Sequence, residues 1–366
     1  MTRGPRPKGL REPIPPRRIL LRSVWAVCLL TVIVGSTVAL RSLLWAHLPY
    51  RNYGAPSALV DVPQGASLRR IVDILEDHGI VRRFPWSAAT LRLLGASEGL
   101  KAGEYEFSQP MSPLEVFERI QRGDIYIHKV TVLEGLRSDE IFSLFVRSGF
   151  GTDSEFIDAF RDVTLLRGLD DEAVDVEGYL FPDTYALQKG TTARAIVARM
   201  VARFKEVLGP GWVQQAKAQG LTVRQAVSLA SLIEKETASS EEDPIVASVF
   251  LNRLRKGMRL QCDPTVIYAL AMRNSWDGNI RKDDLHIDSL YNTYRYYGLT
   301  PGPISNPGQA ALKGAVAPAT TDFLYFVSMN NGRHHFSKTL EEHNRAVFEY
   351  QKKPFGIKSL ASRQTS

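Results

Sequence analysis

Apolar side chains follow three different patterns along this chain. The first is unbroken: residues 23–40 (SVWAVCLLTVIVGSTVAL) carry no charge and are mostly apolar. With Ile19, Leu20 and Leu21 before them and Leu43, Leu44 and Trp45 after, they make a run long enough to span a bilayer. The second pattern fills 59–125 with short segments. A strand at 59–62 leads to a helix capped by Ser67 that runs to about His78, with Ile71, Val72, Ile74 and Leu75 inward. A helix at about 86–94, an alternating strand at 101–107 and a helix at 112–123 follow, the last with Ser112 and Glu115 spaced as a capping box. The third pattern, from 126 to about 352, is longer and mainly helical. It predicts a strand at 130–133, helices at 138–147, 193–208, 222–237 and 244–258, and a buried strand at 323–327. Between them, 150–176 is acidic and broken, and 177–185 (EGYLFPDTY) fits neither period.

These patterns predict an α+β protein: a tail (1–18), a transmembrane helix (19–45), a linker (46–58), a small α/β domain (59–125), a larger α+β domain (126–352) and a C-terminal tail (353–366). Its 366 residues, 44% hydrophobic and 23% charged, are those of a folded protein. The net charge of +7 invites a nucleic-acid partner, but residues 1–22 hold seven basic side chains against Glu12 alone. That leaves no basic face on the folded part, so nucleic acid is excluded. Basic residues before the span place the N-terminus in the cytoplasm and the larger part outside it. A cleavable signal peptide competes with an anchor, but the apolar run exceeds a typical h-region and no A-x-A site follows. Cys28 lies in the span and Cys262 beyond it, so no intrachain disulfide is expected.

Chemistry concentrates in the helix at 222–237. Val223, Ala226, Val227, Leu229, Ala230, Leu232 and Ile233 cover one broad face. Glu234 and Glu236 fall on its two flanks, and a carboxyl beside an apolar face is partly desolvated, which suits it to proton donation near neutral pH. The wheel does not separate the two. Asp263 before Pro264 reads as a helix N-cap. Residues 291–307 are rich in Pro, Gly, Asn and Tyr, the composition of a sugar-binding loop and also of an ordinary connector. His334 and His335 have no partner at a ligand spacing, so no metal is expected.

The segments ASLIEKET (230–237), VASVFLNRLRKGMRLQCDPTVIYAL (246–270), YNTY (291–294), GLTPGPISNPG (298–308), LYFV (324–327) and HHFSKTLEEHN (334–344) together resemble the membrane-bound endolytic murein transglycosylase family, the YceG-like proteins. EGYLFPDTY, KAGEYEF (101–107) and the N-terminal anchor match its layout. The strand–helix–helix–strand order of 59–107 is similar to a LysM glycan-binding module, with a plain spacer as the other reading. The resemblance implies a cell inner membrane protein whose exported part cuts the β-1,4 bond between N-acetylmuramic acid and N-acetylglucosamine without water, leaving a 1,6-anhydro end. It implies Glu236, followed by Thr237, as the single catalytic acid and base. It also implies peptidoglycan glycan strands as substrate, no cofactor, and a peptidoglycan synthase as a partner at the membrane. Asn252, Gln261, Asp263, Tyr291, Asn292, Tyr294, Asn306, Tyr325 and Glu177 are the expected substrate-binding residues. Cys262 departs from the family pattern, which has a small polar residue there, and would add a thiol. Two other functions stay open: a lysozyme-type hydrolase with Asp263 or Glu177 as second carboxylate, and a non-catalytic glycan-binding scaffold.

Overall fold

A computed structural model of the protein describes residues 16–352; the outer part of the expected cytoplasmic tail and the tail at 353–366 lie outside the described residues. The chain divides into two compact units between Ile127 and His128.

The first unit opens with α1 (Pro16–His47), which from Leu21 to His47 is long and apolar enough to cross a membrane. Its end is built into a core. Trp45 and Ala46 are buried, the Trp45 ring stacks on Phe84 at 5.4 Å, and its Nε1 donates to the Arg82 carbonyl at 2.6 Å. Tyr50 bridges to Met111, and the Asn52 amide donates to the Gly79 carbonyl at 2.9 Å. The expected linker at 46–58 is therefore largely part of the folded unit. Its Tyr50 and Tyr53 side chains, both partly buried, gain more from packing than from remaining on a free tether.

The unit continues with β1 (Ala58–Val62), α2 (Leu68–Asp77), α3 (Ser87–Leu93), β2 (Gly103–Phe107) and α4 (Pro113–Arg122). β1 and β2 are antiparallel with Val60 opposite Tyr105, and strand alternation puts Val60, Val62, Tyr105 and Phe107 into the core. Ile71, Val72 and Leu75 of α2 and Val116, Phe117 and Ile120 of α4 close over them. Both helices start where their caps predict: Ser67 accepts from Arg70, and Ser112 and Glu115 form the capping box.

The second unit contains β3 (His128–Thr131), α5 (Ser138–Arg147), α6 (Asp153–Phe160), β4 (Thr184–Leu187), α7 (Ala193–Leu208), α8 (Trp212–Ala218), α9 (Val223–Glu236), α10 (Asp243–Arg255), α11 (Asp263–Ala271), α12 (Gln309–Val316), β5 (Tyr325–Ser328), β6 (His334–Ser337) and α13 (Leu340–Val347). Its strands form two antiparallel pairs, β3 with β4 and β5 with β6. The centre is α9, fully buried from Ala226 to Ile233 and packed on α8, α10, α11 and α12. β5 begins two residues later than the apolar pattern predicts. Only Val327 of its four residues is buried, because the strand walls a cavity instead of crossing a core.

The irregular stretch at 177–185 is read only in three dimensions. Gly178 has φ +85° and lies against Pro303, so that a Cβ would stand 2.4 Å from the proline ring. Two steps on, the Leu180 amide donates to Asn306 Oδ1 at 2.8 Å. Replacing Gly178 by Ala adds left-handed strain and a steric clash, with an expected loss of about 2–4 kcal/mol. Chemical denaturation of the Gly178→Ala protein beside the native one measures it, and an unchanged midpoint would show that the close approach is not needed.

Candidate active site

Local sequence sets the frame of α9. Thr222 and Gln225 form its capping box, and the helix ends where Thr237 turns extended. Thr237 Oγ1 donates to Asp243 Oδ1 at 2.7 Å, fastening the end of α9 to the start of α10. The two flanking glutamates then go separate ways. Glu234 Oε2 accepts from the Gly308 amide at 2.9 Å. Burial, with Glu134 and Asp243 nearby, pushes its carboxyl up to about 7. Glu236 is half-buried and lines a cavity of about 570 Å³ that Glu234 does not reach. Burial first, and then the charge of Asp263, pushes the Glu236 carboxyl above the usual range. The Cys262 thiol, His334 and Arg253 pull it partly back.

The segment before α11 supplies one wall. Gln261 has φ +52°, a strained left-handed backbone, and its exposed side chain borders the cavity. Its amide donates to the Thr293 carbonyl at 3.2 Å, and Thr293 Oγ1 accepts from Cys262 N at 3.0 Å. Through these bonds the segment is laid against the 291–294 loop. Cys262, not Asp263, stands at the N-cap, and it makes no side-chain cap. Asp263 is the first helical residue, and its carboxylate accepts from the Tyr294 hydroxyl at the cavity edge. The Cys262 thiol is sealed in. Burial and the adjacent Glu236 push it well above its ordinary value, so the thiol that Cys262 adds is a poor nucleophile.

Arg253 and His334 complete the surround. Arg253 is buried, with Nε donating to Leu324 O and a terminal nitrogen to Leu260 O, both at 2.6 Å. It also lies 5.2 Å over the Tyr325 ring. One guanidinium thus joins α10, β5 and the segment before α11. His334 holds Glu242 with its amide at 3.0 Å and with Nδ1 at 2.7 Å. A carboxylate only accepts, so Nδ1 carries a proton and Nε2 is left for other contacts.

The pattern of the YceG-like family matches residues 60–349. The chain belongs to this family. The endolytic murein transglycosylase of Bacillus subtilis is 32% identical over 306 residues, covering 80% of this chain and 84% of that protein. The endolytic murein transglycosylase of Streptococcus pneumoniae (strain D39) is 29% identical over 346 residues, covering 86% of this chain and 62% of the relative. The crystal structure of a YceG-like protein from Listeria monocytogenes superposes with a TM-score of 0.53 at 32% identity, over 79% of this chain and 99% of that one.

Within this YceG-like chain, five of the expected site residues share the cavity: Glu236, Gln261, Asp263, Tyr294 and Tyr325. The other five do not border it. Asn252 is buried, its amide nitrogen held by Thr321 O and Phe323 O and its oxygen by Arg255. Asn292 folds back on Leu285 O, Ile287 O and the Tyr294 amide, which shapes the loop that carries Tyr294. Tyr291 packs on Tyr268 at 4.9 Å. Asn306 and Glu177 meet each other in the interior at 2.9 Å, where Ser138 N and Oγ also donate to the carboxyl. Asn252, Asn292, Asn306 and Glu177 have spent their polar atoms on the fold, and Tyr291 its ring. Arg253, His334 and His343 were missed as cavity residues. Arg253 lies in the last turn of α10 beside Asn252, where basic side chains are ordinary, and His334 was weighed only as a metal ligand.

Burial raises Glu177 from 4.5 to about 8. A carboxyl that holds its proton more tightly when folded favours the folded state at low pH, and that contribution is lost as pH rises from 4.5 through about 8. Melting temperature should therefore fall across that interval, and Glu177→Gln should flatten the fall. An equally steep profile in the variant would assign the pH dependence to other groups.

Proposed function

We propose that this YceG-like chain is an endolytic murein transglycosylase. It would cleave the β-1,4 bond between N-acetylmuramic acid and N-acetylglucosamine inside peptidoglycan strands and leave a 1,6-anhydro end. The observation that carries the chemistry is Glu236, a half-buried carboxyl above its usual pKa range, on the wall of a cavity of about 570 Å³. The names of the relatives support the reaction class.

The proton balance needs one acid. Protonated Glu236 gives its proton to the glycosidic oxygen as the C1–O4 bond breaks. The 6-hydroxyl of the same sugar then bonds to C1, and its proton returns to Glu236. No water is consumed and the acid is restored. Between the steps Glu236 is a carboxylate, and Arg253 and His334 favour that form electrostatically. Asp263, held by the Tyr294 hydroxyl, places negative charge beside the developing oxocarbenium ion. A lysozyme-type hydrolase stays as a second reading because Asp263 borders the same cavity.

We further propose that α1 anchors the chain in the cell inner membrane, with the residues before it in the cytoplasm. On that arrangement the second unit works outside the cytoplasm beside a peptidoglycan synthase. The strand–helix–helix–strand order of the first unit supports a LysM-like module that binds glycan. Protease added outside spheroplasts should digest the second unit, and crosslinking should recover a synthase with the chain. Protection of that unit, or no synthase after crosslinking, would refute the corresponding assignment.

Mass spectrometry of peptidoglycan digested by the detergent-solubilised full chain tests the reaction. The native protein should release anhydro-ended fragments, and Glu236→Gln should lower their yield by about 10²–10⁴-fold. Glu234→Gln should keep activity within about tenfold, since its carboxyl is bound to Gly308 outside the cavity. Reducing ends from the native protein, with loss of activity in Asp263→Asn, would establish the hydrolase instead.

A further inference from the structure

His343 contributes to the cavity from α13 and has no part in the proton balance above. Its ring stacks on Tyr325 with centroids 5.3 Å apart and planes 24° from parallel. Arg253 lies 5.2 Å over the same tyrosine. Nδ1 of His343 is shut away from solvent and has no hydrogen-bond partner, whereas Nε2 is not sealed. Burial, Arg253 and His335 lower the pKa of the ring and so favour its neutral form.

A neutral imidazole carries one proton, and the surroundings decide where. An N–H buried without an acceptor costs more than a bare ring nitrogen, so the proton belongs on Nε2. Stacking fixes the direction of that N–H, unlike a rotating hydroxyl. His334 has the opposite tautomer when neutral, since its Nδ1 proton goes to Glu242.

We propose that His343 is a substrate-binding residue whose Nε2–H donates to the carbonyl oxygen of a 2-acetamido group on the glycan strand. A fixed donor suits an acceptor that cannot itself donate, and of such acceptors on every sugar of the strand the acetamido carbonyl oxygen is stronger than the ring and glycosidic ether oxygens. The assignment rests on the reading of glycan strands as substrate.

Binding separates the possibilities without turnover. The full chain carrying Glu236→Gln is titrated with purified uncrosslinked glycan strands, native and de-N-acetylated. Added His343→Phe keeps a flat ring on Tyr325 but no donor, and should weaken binding of native strands about tenfold. Added His343→Gln places an amide nitrogen near the Nε2 position and should stay within about threefold of the parent. On de-N-acetylated strands the Phe variant and the parent should bind alike. Binding by the Phe variant as tight as the parent's, equal loss in Phe and Gln, or a Phe defect that persists without acetyl groups would each overturn the assignment. The ends of the digestion products judge the transglycosylase reading separately.

Discussion

The second unit depends on how α9 ends. From Ala226 to Ile233 every side chain is buried, and one turn later the helix must bring a carboxyl out of that apolar interior. Burying an ionised carboxyl is costly, and here the cost appears as a raised pKa, so the proton is kept. The same desolvation acts on Glu234, but a backbone amide from Gly308 meets that side chain. A Cβ on residue 308 would lie 2.0 Å from Glu134 Oε1, so the close packing there uses the missing side chain of a glycine. Two glutamates two residues apart thus acquire different surroundings, one in packed protein and one at a cavity.

Around that end, the walls come from segments far apart in sequence, and buried polar groups hold them in place. Arg253 bonds to the carbonyls of Leu324 and Leu260, so α10, β5 and the chain before α11 share one cation. Thr265 and Thr293 meet at 2.9 Å and Thr293 also takes the Cys262 amide, which aligns Asp263 with Tyr294. A second interior network, Glu177 with Ser138, Asn306 and Tyr268, ties the start of α5 to the 177–180 and 303–306 segments. Networks of this kind are satisfied only in one arrangement of the chain, which makes them suited to fixing loops that apolar packing alone would leave loose.

What the sequence by itself determined was whatever local physics repeats. Helices α2, α4, α5, α7 and α9 lie where apolar periodicity and capping residues predict them, because cap bonds and an amphipathic face act over a few residues. The apolar run of α1 is equally plain, and long ordered motifs were enough to recognise the YceG-like family. Tertiary structure decided which polar side chains face the cavity. Asn, Tyr and Glu in a loop have the same composition whether they hold a sugar or their own backbone. Asn252, Asn292, Asn306 and Glu177 find partners up to 170 positions away inside the protein, while Gln261, Asp263, Tyr294 and Tyr325 border open space. The choice between Glu234 and Glu236 was of the same type. A helical wheel places both on the flanks of the apolar face, and only the packing of Gly308 against one and of Cys262 and Arg253 around the other makes them different.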